Sequence, residues 1–133
     1  MSEKILIIGK NSIIAKEFIK KINNTQIIAP SKSLWNMNNT DLSKKQINII
    51  KSVDKILLLQ SVISSKFFLN RKQSEITKQI NINFLSVIKI CELALNYNKK
   101  VKIIVLGSEA GIKGSYDIVY GLMKASIHKY VEE

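Results

Sequence analysis

A single cysteine, Cys91, excludes an intramolecular disulfide, and with one histidine, His128, it offers no metal-binding constellation. Cys91 is therefore expected to be a small apolar filler on a helix. The chain also lacks long hydrophobic runs. After Met1 only Ile5 to Ile8 are continuously apolar before Gly9-Lys10, too short for a signal-peptide core. No stretch approaches the roughly 18 apolar residues of a membrane helix, so no membrane partner is expected and the expected compartment is the cytoplasm. Arginine is almost absent too: Arg71 stands alone among lysines in a chain of net charge +11. The lysines are scattered (Lys4, Lys16, Lys55, Lys78, Lys89, Lys113) rather than gathered into a stripe, and abundant Ile and Asn accompany them. That pattern belongs to a compositionally biased genome and not to a nucleic-acid-binding surface, so a nucleic-acid partner is not expected.

What remains is ordinary globular material. The 133 residues are 46% hydrophobic, enough for one domain with a working core. Lys4 to Ile8 reads as a strand buried on both faces, the kind found in parallel sheets, and ends at Gly9. From Ser12, a possible N-cap, the apolar positions Ile14, Phe18, Ile19 and Ile22 follow helical spacing. Gln26 to Ala29 reads as a second strand stopped by Pro30, and Ser31 to Thr40 as a loop or short edge strand around Leu34-Trp35. Asp41-Leu42-Ser43 looks like a helix start, and Asp54 to Leu59 is a further buried strand running into Gln60-Ser61. A long helix is expected from about Ser74 to Tyr97, with Asn83 as the polar exception on its apolar side. Such a residue is either satisfied by a backbone partner or faces a site. Val101 to Leu106 forms the next strand, followed by Gly107-Ser108-Glu109-Ala110-Gly111 and a helix from about Ile118, capped by Ser115 or Asp117.

Strands alternating with helices predict an α/β fold, a doubly wound parallel sheet with helices on both faces. Ligands bind such sheets outside the carboxyl ends of the strands, where Gly9, Gln60-Ser61 and Ser108 fall. On the last helix Tyr120 and Lys124 are one turn apart on the same face. The ammonium would favour the phenolate, pulling the phenol from its reference of about 10 towards working pH. The same spacing also fits a half-buried Tyr beside a solvated Lys.

With Gly9 after the first strand, Asn83 on the long helix, Ser108 after a later strand and the Tyr120/Lys124 pair in that order, the chain resembles the amino-terminal half of the short-chain dehydrogenase/reductase family. The resemblance covers essentially everything from Lys4 onwards. It implies residues 1–133 as a single, incomplete Rossmann domain binding NAD(P), and hydride transfer between the nicotinamide and a carbonyl or alcohol. By resemblance Tyr120 is the proton donor and Ser108 the orienting hydrogen bond. Lys124 lowers the phenol pKa and touches the nicotinamide ribose, and Asn83 serves a proton relay through water. Gly9, Lys10, Asn11, Ser12 and Ile14, with Lys32, Asp41, Gln60, Tyr120 and Lys124, are then the cofactor-binding residues, and no metal is implied. Asp41 matches the family's acidic contact to adenine, with a helix N-cap as the alternative.

Several positions depart from the family pattern. Ile13 replaces the glycine that lets backbone approach the pyrophosphate, and Leu59-Gln60-Ser61-Val62 replaces an Asn-Asn-Ala-Gly segment. Pro30-Ser31-Lys32-Ser33 lacks the acid that would bind a ribose 2′-hydroxyl. Lys32 and Lys10 suit a 2′-phosphate instead, which favours NADP over NAD. The short passage from the second strand to Asp41 resembles the branch acting on sugar nucleotides. The sequence ends at Glu133 within the Tyr/Lys helix, before the family's last strands and substrate loop, leaving the edge at Val101 to Leu106 uncovered. Two functions follow as expectations: an oxidoreductase acting on a small carbonyl or alcohol, or a truncated, inactive nucleotide-binding or oligomerisation module. The family's habit of packing these helices against a second subunit makes a homo-oligomer the expected assembly.

Overall fold

Ile5, Leu6, Ile7 and Ile8 are each no more than 3% exposed, so the strand they form, β1 (Glu3–Ile8), can only be central. The computed structural model describes residues 2–133. In it β1 lies between β2 (Thr25–Ile28) and β3 (Lys55–Leu58), and β4 (Lys102–Val105) pairs with β3. All three pairings are parallel, in the order β2-β1-β3-β4. The α/β, Rossmann-like expectation is met, and each strand ends within two residues of where its apolar run ends.

Side-chain alternation along β1 divides the core in two. Ile5 and Ile7 join Ala15, Leu57 and Leu59 beneath α1 (Ile13–Lys21). Leu6 and Ile8 face the opposite layer, where Ile50 of α2 (Lys44–Ser52) meets Ile82, Val87, Ile90 and Cys91 of the long helix. Ile127 of the last helix, α6 (Ile118–Glu132), completes that layer. Burial pushes the Cys91 thiol up to about 11, in keeping with an inert filler.

The connection from β1 returns on one side of the sheet and that from β3 on the other. The carboxyl ends of β1 and β3 therefore flank the point where strand order reverses, the usual place for a ligand in such sheets. Gly9 sits there at φ +96, and a Cβ at that position would lie 2.7 Å from the backbone nitrogen of Gln60. Only glycine lets the first turn pass this close to the end of β3.

The long helix is not continuous α-helix. It comprises α3 (Gln73–Ile80), a π-helical segment (Asn81–Leu85) and α4 (Ser86–Tyr97). The widened segment contains Asn83, which is 1% exposed. Between β4 and α6 the glycine-containing loop includes a short helix, α5 (Ala110–Lys113), which the sequence does not announce. Residues 31–40 form a loop without an edge strand. Trp35 and Met37 of this loop are nonetheless buried at 2% and 1%, and Ser86 donates to the Met37 carbonyl to hold it down.

One sequence expectation is corrected here and another is met. The N-cap of α2 is Ser43, not Asp41: Ser43 accepts from the Gln46 amide at 3.2 Å and Gln46 accepts from the Ser43 amide at 2.8 Å, a complete capping box. Asp41, two residues too early to reach those amides, has a side chain 92% exposed and meets only Lys89 at 3.4 Å. At the far side of the sheet β4 has no outer neighbour among the described residues, and Ile104 is 53% exposed there. This is the uncovered edge expected from the sequence.

Candidate functional site: a lysine-lined cleft beside a buried lysine

The turn after β1 is built by two hydrogen bonds. The Ser12 amide donates to the Gly9 carbonyl at 3.0 Å, and the Ser12 hydroxyl caps α1 by accepting from the Ala15 amide at 3.1 Å. This turn, the end of β3 and the segment after β2 enclose a cleft of about 360 Å³. Gly9, Lys10, Asn11, Ser12, Lys32 and Gln60, all named from the sequence, line it together. Its apolar wall is Ile8, Pro30, Trp35, Leu59 and Leu106. Lys10 and Lys32 are its charged residues and no acid lines it, so its field favours an anion. Ile14 and Asp41 are not among the lining residues; Ile14 is 53% exposed in the first turn of α1. Ile13, whose bulk the sequence flags as an obstacle, is 82% exposed and does not line the cleft either.

A second group gathers at the carboxyl end of β4. Lys124 is only 3% exposed, so the solvated alternative for the Tyr/Lys pair is excluded. Its ammonium donates to the Leu106 carbonyl at 2.7 Å and lies 5.7 Å from the centre of the Tyr120 ring. Leu106 also walls the cleft, so the buried charge is bonded to a residue of that wall. No carboxylate pairs with Lys124 among the described residues. Burial alone lowers its pKa from the ordinary 10.5.

Ser108 follows two residues after Leu106. Its hydroxyl accepts from the Ala110 amide at 3.2 Å, and its own amide donates to Nε2 of His128 at 3.2 Å. His128 stands one turn beyond Lys124 on α6, and a Cβ on Gly107 would come within 2.7 Å of that same nitrogen. The Tyr120 hydroxyl, half-buried, has no hydrogen-bond partner among the described residues and is not joined to Ser108. Asn83 stands apart from both groups. Its Oδ1 accepts from the Val62 amide at 2.8 Å and its Nδ2 donates to the Val62 carbonyl at 2.7 Å, so its amide pins the segment after β3.

Sequence reasoning missed a buried cluster beneath that segment. Asp117, at 0% exposure, pairs with Arg71 at 2.9 Å and accepts from Gln79 at 2.6 Å. The one available signal was that the chain's single arginine stands in a background of lysine. Only a guanidinium supplies a planar fork of donors for buried partners.

The lowered Lys124 pKa has a definite sign. The folded protein loses this proton more readily than the unfolded chain, so stability rises as pH climbs through the lowered value towards 10.5. Below that window the fold bears the full cost of the buried charge. Lys124→Met is therefore expected to raise the unfolding free energy at neutral pH by about 1 kcal/mol, and to abolish the alkaline rise. Urea unfolding across pH checks both. A methionine variant less stable than the parent at neutral pH would mean that the bond to Leu106 outweighs the buried charge.

Comparison with protein-family models and with curated proteins finds no match to this sequence. Comparison with solved structures does. A short-chain dehydrogenase/reductase from Brucella melitensis, described as a glucose/ribitol dehydrogenase, superposes over 96% of this chain and 66% of its own, with TM-score 0.72 and 16% identity. ElxO with NADP bound matches over 98% of this chain and 65% of its own, with TM-score 0.75 and 22% identity. The fold is that of the short-chain dehydrogenases. A short-chain dehydrogenase from Sphingobium yanoikuyae in complex with NADPH gives 98% and 63% coverage, TM-score 0.72 and 12% identity. The short-chain dehydrogenase fold thus extends over nearly all of this chain, which spans 63–66% of the length of those structures.

Proposed function

We propose that this chain forms the cofactor-binding and proton-transfer part of an NAD(P)-dependent oxidoreductase of the short-chain dehydrogenase/reductase type. The observation that carries the reading is Lys124, an ammonium buried with no carboxylate partner among the described residues and bonded to Leu106, a wall residue of the lysine-lined cleft. A charge so placed costs stability and invites a functional explanation.

The residues present fit a dinucleotide. The α1 amino terminus opens beside the cleft with Ser12 as its cap, a setting that favours phosphate. Lys10 and Lys32 add positive charge where no acid competes, which favours NADP over NAD. Bound there, the cofactor would supply or accept hydride. The chain's own work is protonic: Tyr120 gives a proton to, or takes one from, the substrate oxygen, and Ser108 supplies its second hydrogen bond. Lys124 holds its ammonium 5.7 Å from the centre of the Tyr120 ring. The Tyr120 hydroxyl has no hydrogen-bond partner among the described residues, and the Ser108 hydroxyl, which accepts from the Ala110 amide, keeps its proton free to donate.

A small carbonyl or alcohol is the substrate class, and the short connection from β2 to α2 keeps a sugar nucleotide within it. Ile118 and Leu122, each 58% exposed on α6, support self-association. They also favour the second reading, an inactive nucleotide-binding or oligomerisation module.

Fluorescence titration decides the cofactor question. NADPH is expected to bind more tightly than NADH, and Lys32→Ala to weaken NADPH by about tenfold while leaving NADH nearly unchanged, as loss of one charge-assisted phosphate contact requires. If neither nucleotide changes the signal, the oxidoreductase reading fails. Binding without turnover of any carbonyl supports the module reading.

A further inference from the structure

Asp117 is the only acid among the described residues that is buried, and every lone pair of its carboxylate is engaged. Its Oδ1 accepts from Arg71 Nη2 at 2.9 Å and from the Tyr120 amide at 3.1 Å. Its Oδ2 accepts from the Ser64 amide at 2.7 Å and from Gln79 Nε2 at 2.6 Å. One carboxylate thus joins the first turn of α6, where Tyr120 sits, to the segment after β3. That segment begins with Gln60 and Ser61, which wall the cleft.

We propose that Arg71, Gln79 and Asp117 are positioning residues that fasten the Tyr120 turn to the wall of the nucleotide cleft, so that occupancy of the cleft tightens that turn. The proposal rests on the nucleotide-binding reading above. Arg71 orients the other two: its Nε donates to the Lys66 carbonyl at 3.1 Å and its Nη1 to Gln79 Oε1 at 2.6 Å. A lysine could not make three such bonds in fixed directions. Gln79 passes the constraint on by donating also to the Val62 carbonyl at 3.2 Å, the same carbonyl that Asn83 holds. With no spare acceptor at the carboxylate, the segment from Gln60 to Ser64 cannot shift without breaking a charge-assisted hydrogen bond. Because coupling is reciprocal, a ligand that steadies this segment must steady the Tyr120 amide.

Both amides bound to Asp117 report on the cluster directly, so the test is amide hydrogen exchange on the whole chain with and without saturating NADPH, alongside NADPH affinity by fluorescence. In the parent protein NADPH is expected to slow exchange at Ser64 and Tyr120 by about tenfold. Asp117→Asn should keep the circular dichroism spectrum, weaken NADPH by a similar factor and lose the slowing at Tyr120. Should that variant fail to fold, Gln79→Met, which keeps the Arg71–Asp117 pair, is expected to reduce both effects in a folded protein. Parent protein that binds NADPH without slowing at Tyr120, or folded variants that behave like the parent, overturns the positioning role alone. Parent protein that binds no NADPH overturns the cofactor reading and this proposal with it.

Discussion

Asp117→Ala is expected to lower the unfolding free energy by about 3–5 kcal/mol, the cost of leaving a buried guanidinium without its partner. Arg71 is 1% and Asp117 0% exposed at the side chain, so water cannot replace the lost contact. The substitution also removes the N-cap of α6 and the acceptor of the Ser64 amide. Urea unfolding monitored by circular dichroism measures the loss. Adding Arg71→Met should recover part of it, because the unpaired charge disappears while the lost cap does not. A loss below about 1 kcal/mol would show that the pair behaves as if solvated. Acid should reproduce the effect. Burial opposes ionisation of Asp117, but hydrogen bonds from Ser64, Gln79, Tyr120 and Arg71 outweigh it and hold the pKa below the ordinary 3.8. The stabilisation is then fully present above pH 3.8 and is lost as pH falls through the lowered value.

Under the oxidoreductase function proposed above, Tyr120→Phe is expected to reduce kcat/KM for reduction of small ketones by about 10²–10⁴, the usual worth of a positioned proton donor, while leaving NADPH affinity within a factor of about two. The structural reason for separating the two effects is that the phenol hydroxyl has no partner among the described residues and Tyr120 does not line the cleft. Removing one oxygen therefore disturbs neither the fold nor the nucleotide wall. Turnover and fluorescence titration on the same preparations distinguish the outcomes. Equal loss of binding and rate would place Tyr120 in the nucleotide wall, and unchanged turnover would remove it from the proton path.

Asp41 and Ile14 show where local reading of the candidate site stopped. Both match positions of a family pattern, yet Asp41 projects into solvent and Ile14, half exposed in the first turn of α1, does not line the cleft. Sequence order carries no information on which way a loop residue turns. Gly9, Lys10, Asn11, Ser12, Lys32 and Gln60 do meet at one cleft, because each lies at or just after the carboxyl end of a parallel strand. Asn83 was legible as an anomaly on an apolar stripe. Its bonds to Val62 resolve that anomaly in favour of a backbone partner.

From its sequence alone this protein has an order of strands and helices, a glycine turn after the first strand, and a Tyr and a Lys on one helical face. These follow from local rules: apolar runs for strands buried on both sides, helical spacing for amphipathic helices, and the one-turn separation of residues four apart. Tertiary structure decided that Lys124 is buried rather than solvated, that Trp35 and Met37 close a loop over the core, and that His128 reaches back 20 residues to the Ser108 amide. It also brought Arg71 across 46 residues to Asp117. Such pairings are set by which surfaces the packed layers press together, and a buried polar group finds its partner only once water has been excluded from both.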